Sequence, residues 1–152
     1  MFQSTKLFDG FSVVFRQAKA TGTHCEYLHG YGISFKIWFE GELDERNWVW
    51  DFGGIRRAQS TIDGLSAKGW INHMFDHTML VARDDPKLDT LLQLDKSGLA
   101  QVRVVEATGA EQFARLIYRK LNPFVLEETQ GRVRILKVEF RENHHNAAIY
   151  HP

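Results

Sequence analysis

His29-Gly30-Tyr31-Gly32-Ile33-Ser34-Phe35-Lys36-Ile37-Trp38-Phe39-Glu40-Gly41 is the stretch that decides the fold. Ile33, Phe35, Ile37 and Phe39 alternate with Ser34, Lys36, Trp38 and Glu40, and a period of two over this length predicts a strand with one buried face. The alternation puts His29 and Tyr31 on the apolar side, which turns His29 toward the interior or a pocket wall. Upstream, Phe11, Val13 and Phe15 alternate with Ser12, Val14 and Arg16, predicting a second strand over residues 10–17. Residues 18–28, with Thr21-Gly22-Thr23 as turn material, form the loop between them. That loop is too short for a helical crossover, so the two strands pair antiparallel.

Downstream, Gly41 to Asn47 reads as a polar turn and Trp48 to Phe52 as a short apolar run. Ile55, Ala58, Ile62 and Leu65 recur at helical spacing, with Gly69 closing that element. Residues 70–75 continue apolar into Phe75-Asp76-His77. Pro86 suits the first position of a short helix over 87–94. Val102 to Glu106 reads as a strand. Glu111 to Leu121 carries a stripe of Phe113, Leu116, Ile117 and Leu121, a helix that Pro123 kinks or ends. Val133 to Phe140 reads as a last strand with Val133, Ile135, Lys137 and Glu139 on one face, and Glu142 to Pro152 as a polar tail with a short Ala147–Tyr150 run. The expectation is an α+β fold: a four-stranded antiparallel sheet with helices on one face.

Composition bounds the function. The 152 residues make a single domain, 1–152, with 43% hydrophobic and 25% charged residues. A net charge of +0 offers no electrostatic pull on nucleic acid or an anionic membrane, and leaves self-association plausible. No run approaches the 18 or so apolar residues of a membrane span, and Met1 to Lys6 has no apolar leader core. A lone cysteine forms no internal disulfide, which fits a reducing, cytoplasmic setting.

Several residues carry chemistry. Cys25 is either an incidental thiol or, between His24 and His29, a thiol prepared for proton transfer. Asp76-His77 is either a helix-terminal pair or a carboxylate orienting an imidazole that shuttles protons. Glu139 is either a solvated strand residue paired with Lys137 or a carboxylate receiving two N–H donors from a guanidine-like heterocycle edge. His144, His145 and His151 are spaced for no compact metal site.

These residues line up with a family. The order Phe11-Ser12-Val13-Val14-Phe15 resembles F-S-x-x-H, and Cys25 to Tyr31 resembles C-x-x-x-H-G-H. Val49 to Arg56 is similar to V-x-D-F-x-x-L-K, and Phe75 to Val81 to L-D-H-x-x-L-N. Thr108 to Ala114 is similar to P-T-x-E-N-x-A, and Val138-Glu139-Phe140 to V-x-E-T. From about Phe11 to Tyr150 the chain resembles the 6-pyruvoyl-tetrahydropterin synthase and 6-carboxy-tetrahydropterin synthase family of the tunnelling fold (T-fold).

The resemblance implies a lyase of tetrahydropterin or queuosine biosynthesis acting on a dihydroneopterin triphosphate-type substrate. Cys25 would be the general base, and Asp76 and His77 a proton relay crossing a subunit boundary. Glu139 would anchor the pterin, with Thr108 and Glu111 in substrate binding. It also implies a homo-oligomeric barrel, a hexamer of stacked trimers with sites at its interfaces. The family's zinc is held by three His, of which only His29 remains; Phe15 and Tyr31 replace the others, so zinc is expected to be absent or weakly bound. Gly109 replaces the Thr of P-T-x-E. The alternative reading is an inactive T-fold protein that binds a pterin or purine without zinc.

Overall fold

The computed structural model describes all residues 1–152. In chain order the elements are β1 (Phe2–Phe15), a one-turn 3₁₀ helix (His24–Glu26), β2 (His29–Gly41), α1 (Gly54–Arg57), α2 (Ala67–Phe75), β3 (Asp76–Ala82), α3 (Leu88–Lys96), β4 (Val102–Val105), α4 (Ala110–Glu128), β5 (Val133–Arg141) and β6 (Ala147–Tyr150).

β1 and β2 form the long antiparallel hairpin that the alternation predicts, from the Phe2–Gly41 pair to the Phe15–His29 pair. β1 begins eight residues before the predicted strand. Its phase slips once, between Phe8 and Phe11, and this bulge keeps Phe8, Phe11, Val13 and Phe15 all inside despite the odd spacing. Period-2 counting stops at such a slip, which is why the first half of β1 was not read.

The sheet has six strands in the order β4-β3-β1-β2-β5-β6. It is mixed, not the expected four-stranded antiparallel sheet: β3 runs parallel to β1, and β4 parallel to β3. Two features hid this. Asp76 is at once the C-cap of α2 and the first residue of β3, so no loop separates helix from strand. Residues 78–82 are also continuously buried, and apolar after Thr78, as befits a strand covered on both faces. Leu80 enters the main core, while Met79 and Val81 pack with Leu91 of α3 and Val102 of β4 in a second cluster. Alternate side chains of one strand lie on opposite faces. So α3 covers the face opposite α2 and α4, and the helices do not share one side.

The stretch 55–65 is not one helix. α1 is a single turn, after which Asp63 and Gly64 both take left-handed backbone (φ 51° and 81°) and Ile62 bridges Leu65. This is an Asp-Gly hairpin turn. Ser66 then caps α2, its hydroxyl accepting from the Gly69 N–H at 2.9 Å, so Gly69 lies inside a helix and closes nothing. α3 starts at Leu88, two residues past Pro86, and runs to Lys96.

α4 continues through Pro123 to Glu128. Phe113, Ile117, Leu121 and Val125 are each at most 3% exposed, and Phe124 is buried as well, so packing on both sides of the proline outweighs its local cost. β5 carries a second phase slip, opposite Trp38 and Phe39: Val133 and Ile135 face inward, then Val138 and Phe140 do. Glu139 therefore does not share the face of Val133 and Ile135, as a regular alternation requires. The expected polar tail instead turns back and pairs Ala147–Tyr150 with β5 as an edge strand. No helix is long and apolar enough to cross a membrane.

Candidate active site

Antiparallel pairing brings Phe15 of β1 opposite His29 of β2, and Val13 opposite Tyr31. At this corner Phe15 is 2% exposed, with its ring stacked on Tyr31 at 4.5 Å and edge-on to Phe113 of α4 at 5.0 Å. His29 also packs against Tyr31, 4.7 Å away and tilted by 57°. The predicted direction of His29 is met in part: the imidazole is exposed, and it forms a groove wall.

That groove, of about 520 Å³, is lined by His29, Tyr31, Ser34, Arg141, Glu142 and His144 among others. The last three come from the end of β5 and the turn into β6. Asn143 shapes that turn, its carboxamide oxygen accepting from the His145 and Asn146 N–H groups at 2.8 Å each. Asn146 in turn donates to Glu142 at 3.2 Å. The Tyr31 hydroxyl is pushed above its ordinary pKa, first by burial and then by the negative charge of Glu142 and of Cys25. It stays a neutral donor at physiological pH.

Cys25 is exposed in the 3₁₀ turn, where the Thr23 hydroxyl caps its N–H at 3.2 Å. Two bonds hold the turn against β1: Gln17 N–H to the Cys25 carbonyl at 2.7 Å, and Arg16 Nη1 to the Glu26 carbonyl at 3.0 Å. Arg16 is itself gripped by Asp85 in a two-point pair, at 2.8 and 2.7 Å, and the Asp85 side chain is 1% exposed. The bond to Arg16 holds the Asp85 carboxyl below the usual carboxylate range. Sequence reading missed this clamp. Asp84-Asp85-Pro86 looked like loop material, and nothing local marks Asp85 as the partner of a residue 69 positions away.

The other expected residues lie elsewhere. Asp76 and His77 form a pair, Oδ1 to Nδ1 at 2.8 Å, both exposed, with His77 in strained left-handed backbone at φ 57°. They start β3, with β1 between them and β2, and neither lines the groove. Glu139 sits beside Lys36 in the register and accepts from Arg141 Nε at 2.7 Å, outside the groove. Thr108 donates to the Arg16 carbonyl at 2.7 Å and lines a separate cleft with Gln17, Lys19, Asp84 and Gln112. Glu111 is exposed in the first turn of α4. Gly109 has φ 118°, where a threonine would be strained, and a Cβ there would run into Gln17. The loss of the family hydroxyl at this position has a backbone cause.

A family model described as 6-pyruvoyl tetrahydropterin synthase matches residues 6–152. Among solved structures, an uncharacterized protein, WS1659, from Wolinella succinogenes is 22% identical, with a TM-score of 0.76 over 99% of this chain and 97% of that one. The 6-pyruvoyl tetrahydropterin synthase of Caenorhabditis elegans is 15% identical, with a TM-score of 0.64 over 99% and 95%. That of Plasmodium vivax is 14% identical, with a TM-score of 0.64 over 100% and 99%. At these identities the structural likeness speaks for the fold. A comparison with curated protein sequences finds no match.

The zinc ion that this family uses does not fit the donor set of this chain. A catalytic zinc needs about three N, O or S ligands, and here Phe15 supplies only carbon to the corner. No three His, Cys, Asp or Glu side chains converge anywhere in a geometry able to hold a metal.

Proposed function

The chain belongs to the 6-pyruvoyl tetrahydropterin synthase family, and from that premise we propose that it acts on the side chain of a dihydropterin, as a lyase of the 6-pyruvoyl or 6-carboxy-tetrahydropterin synthase type. Cys25 is the base in this reading. The observation that carries it is the groove at one corner: His29, Tyr31 and Glu142 line it together, and the exposed Cys25 turn leads directly into His29 at the start of β2.

We assign the pterin anchor to Glu142 in preference to Glu139. A carboxylate meets two N–H donors of a pterin edge best when it faces the cavity, and Glu142 does. Glu139 is outside the groove and held by the charged Arg141 at 2.7 Å, whereas Glu142 meets only the neutral Asn146 amide at 3.2 Å. Thr108 lines the cleft beside the Cys25 turn, and the relay pair Asp76–His77 enters the reading through a second copy of the chain; neither they nor Glu111 line this groove.

The test is turnover of 7,8-dihydroneopterin, with and without its triphosphate, beside binding of neopterin by calorimetry. Cys25→Ala should abolish turnover and leave binding. Glu142→Gln should weaken binding about tenfold or more, the scale of a charge-assisted pair, while Glu139→Gln does not. Absence of both binding and turnover removes the reading. Binding without turnover on either substrate would favour the second reading, a pterin- or purine-binding protein. The aromatic packing in place of metal ligands is the observation on its side.

A further inference from the structure

We propose that Tyr31 stands in for the metal: its hydroxyl donates a hydrogen bond to the side-chain oxygen of the bound pterin, and the site works without a divalent cation. The inference rests on the pterin reading above and adds to it which group meets the substrate's side chain.

Three positions meet at this corner, and their chemistry is mismatched to a cation. His29 brings one imidazole. Phe15 is buried against Phe113 and fills its share of the space with an aromatic ring. Tyr31 carries the remaining polar atom. The same packing makes that atom useful. Phe15 stacks on the Tyr31 ring, with 19° between the planes, and His29 packs against the same ring at 4.7 Å. The direction of the phenol is therefore set before any ligand arrives, and no reorganisation is needed when charge develops on a substrate oxygen. Of the tyrosines without an intrachain hydroxyl partner, Tyr31 is the one that lines this groove. Glu142, across the same groove, would hold the ring of a pterin whose side chain then extends toward Tyr31. Glu142 and Tyr31 thus divide the ligand between heterocycle and side chain.

This division gives a test that does not depend on turnover. Affinity for neopterin, with its hydroxylated side chain, is compared with affinity for unsubstituted pterin, in wild type and Tyr31→Phe. Both are measured before and after dialysis against a chelator. Tyr31→Phe keeps the ring and its stacking, so the fold is preserved. The expected result is a loss of roughly three- to tenfold for neopterin alone, the worth of one hydrogen bond, with no effect of chelation on either ligand. If turnover is observed, kcat should fall by about 10²–10³ in Tyr31→Phe, the usual effect of losing one preorganised donor, with KM little changed. Equal affinities of wild type and variant for neopterin would overturn the inference and leave the pterin reading standing. Stoichiometric zinc whose removal abolishes neopterin binding would overturn it as well. Failure of the wild type to bind either heterocycle would remove the pterin reading, and this inference with it.

Discussion

Arg16 and Asp85 show how much of the site depends on residues that carry no chemistry. Asp85 is an almost fully buried charge, tolerated because Arg16 meets it at two points and the Lys87 N–H at a third. The remaining Arg16 donor holds the carbonyl that follows Cys25. Asp85→Asn should cost about 3 kcal/mol, the low end for breaking a buried pair because Arg16 keeps some contact with water. The Asp85 carboxyl titrates lower in the folded chain than in the unfolded one. Its contribution to stability is complete above the ordinary carboxylate value and is lost as pH falls through the depressed folded value. Urea midpoints measured down that acidic range should therefore fall less steeply in Asp85→Asn than in wild type. Parallel curves would show that Asp85 does not titrate as described. At this scale the sequence is legible where geometry is local: spacing puts Cys25 near His24 and His29 and puts His29 and Tyr31 on one strand face, while the ligand positions at Phe15 and Tyr31 come from the family resemblance. It was not legible where geometry is long-range. Glu142 lay in an apparent tail, and only the β5–β6 turn brings it to the groove.

Among the elements, legibility followed the regularity of the pattern. β2 keeps one phase for its whole length and its bounds were readable to the residue. β1 and β5 each slip once, and each slip moved a boundary or reversed a face, as for Glu139. The break between α1 and α2 was written in the sequence as Asp63-Gly64, but the apolar spacing of Ile55, Ala58, Ile62 and Leu65 masked it. That turn can be tested in isolation. A Cβ on Gly64 would meet nothing within 4 Å, so Gly64→Ala probes only the left-handed backbone. The expected loss is about 1 kcal/mol, read from a denaturation midpoint. An unchanged midpoint would mean that the turn relaxes to another type at no cost. Gly109→Thr, which restores the family hydroxyl, should cost more. It adds a collision with Gln17 to a similar backbone penalty, and it should disturb the cleft beside the Cys25 turn.

For the whole molecule, the sheet topology raises a question of assembly. Two inter-strand spacings put the β3 and β2 backbones about 10 Å apart, with β1 between them, and the exposed side chains of Asp76 and His77 lie outside the groove. In the proposed reading the relay crosses a subunit boundary, so the Cys25 that His77 serves belongs to another copy. The sheet is open enough for this: it ends in two four-residue edge strands, β4 and β6, and the face of β1, β2 and β5 that no helix covers presents Leu7, Trp38 and Lys137. Trp38 lies between the ammonium groups of Lys36 and Lys137, at 4.9 and 4.4 Å from its ring, which stiffens that face. Subunit mixing decides the point. Cys25→Ala and His77→Ala are each expected to be inactive alone. Unfolded and refolded together, they should regain activity, because random assortment in a symmetric assembly leaves roughly a quarter of shared sites with both wild-type residues. Recovery requires that the two residues come from different chains. If the variants prove active only in a tandem carrying both wild-type residues on one chain, the relay is internal.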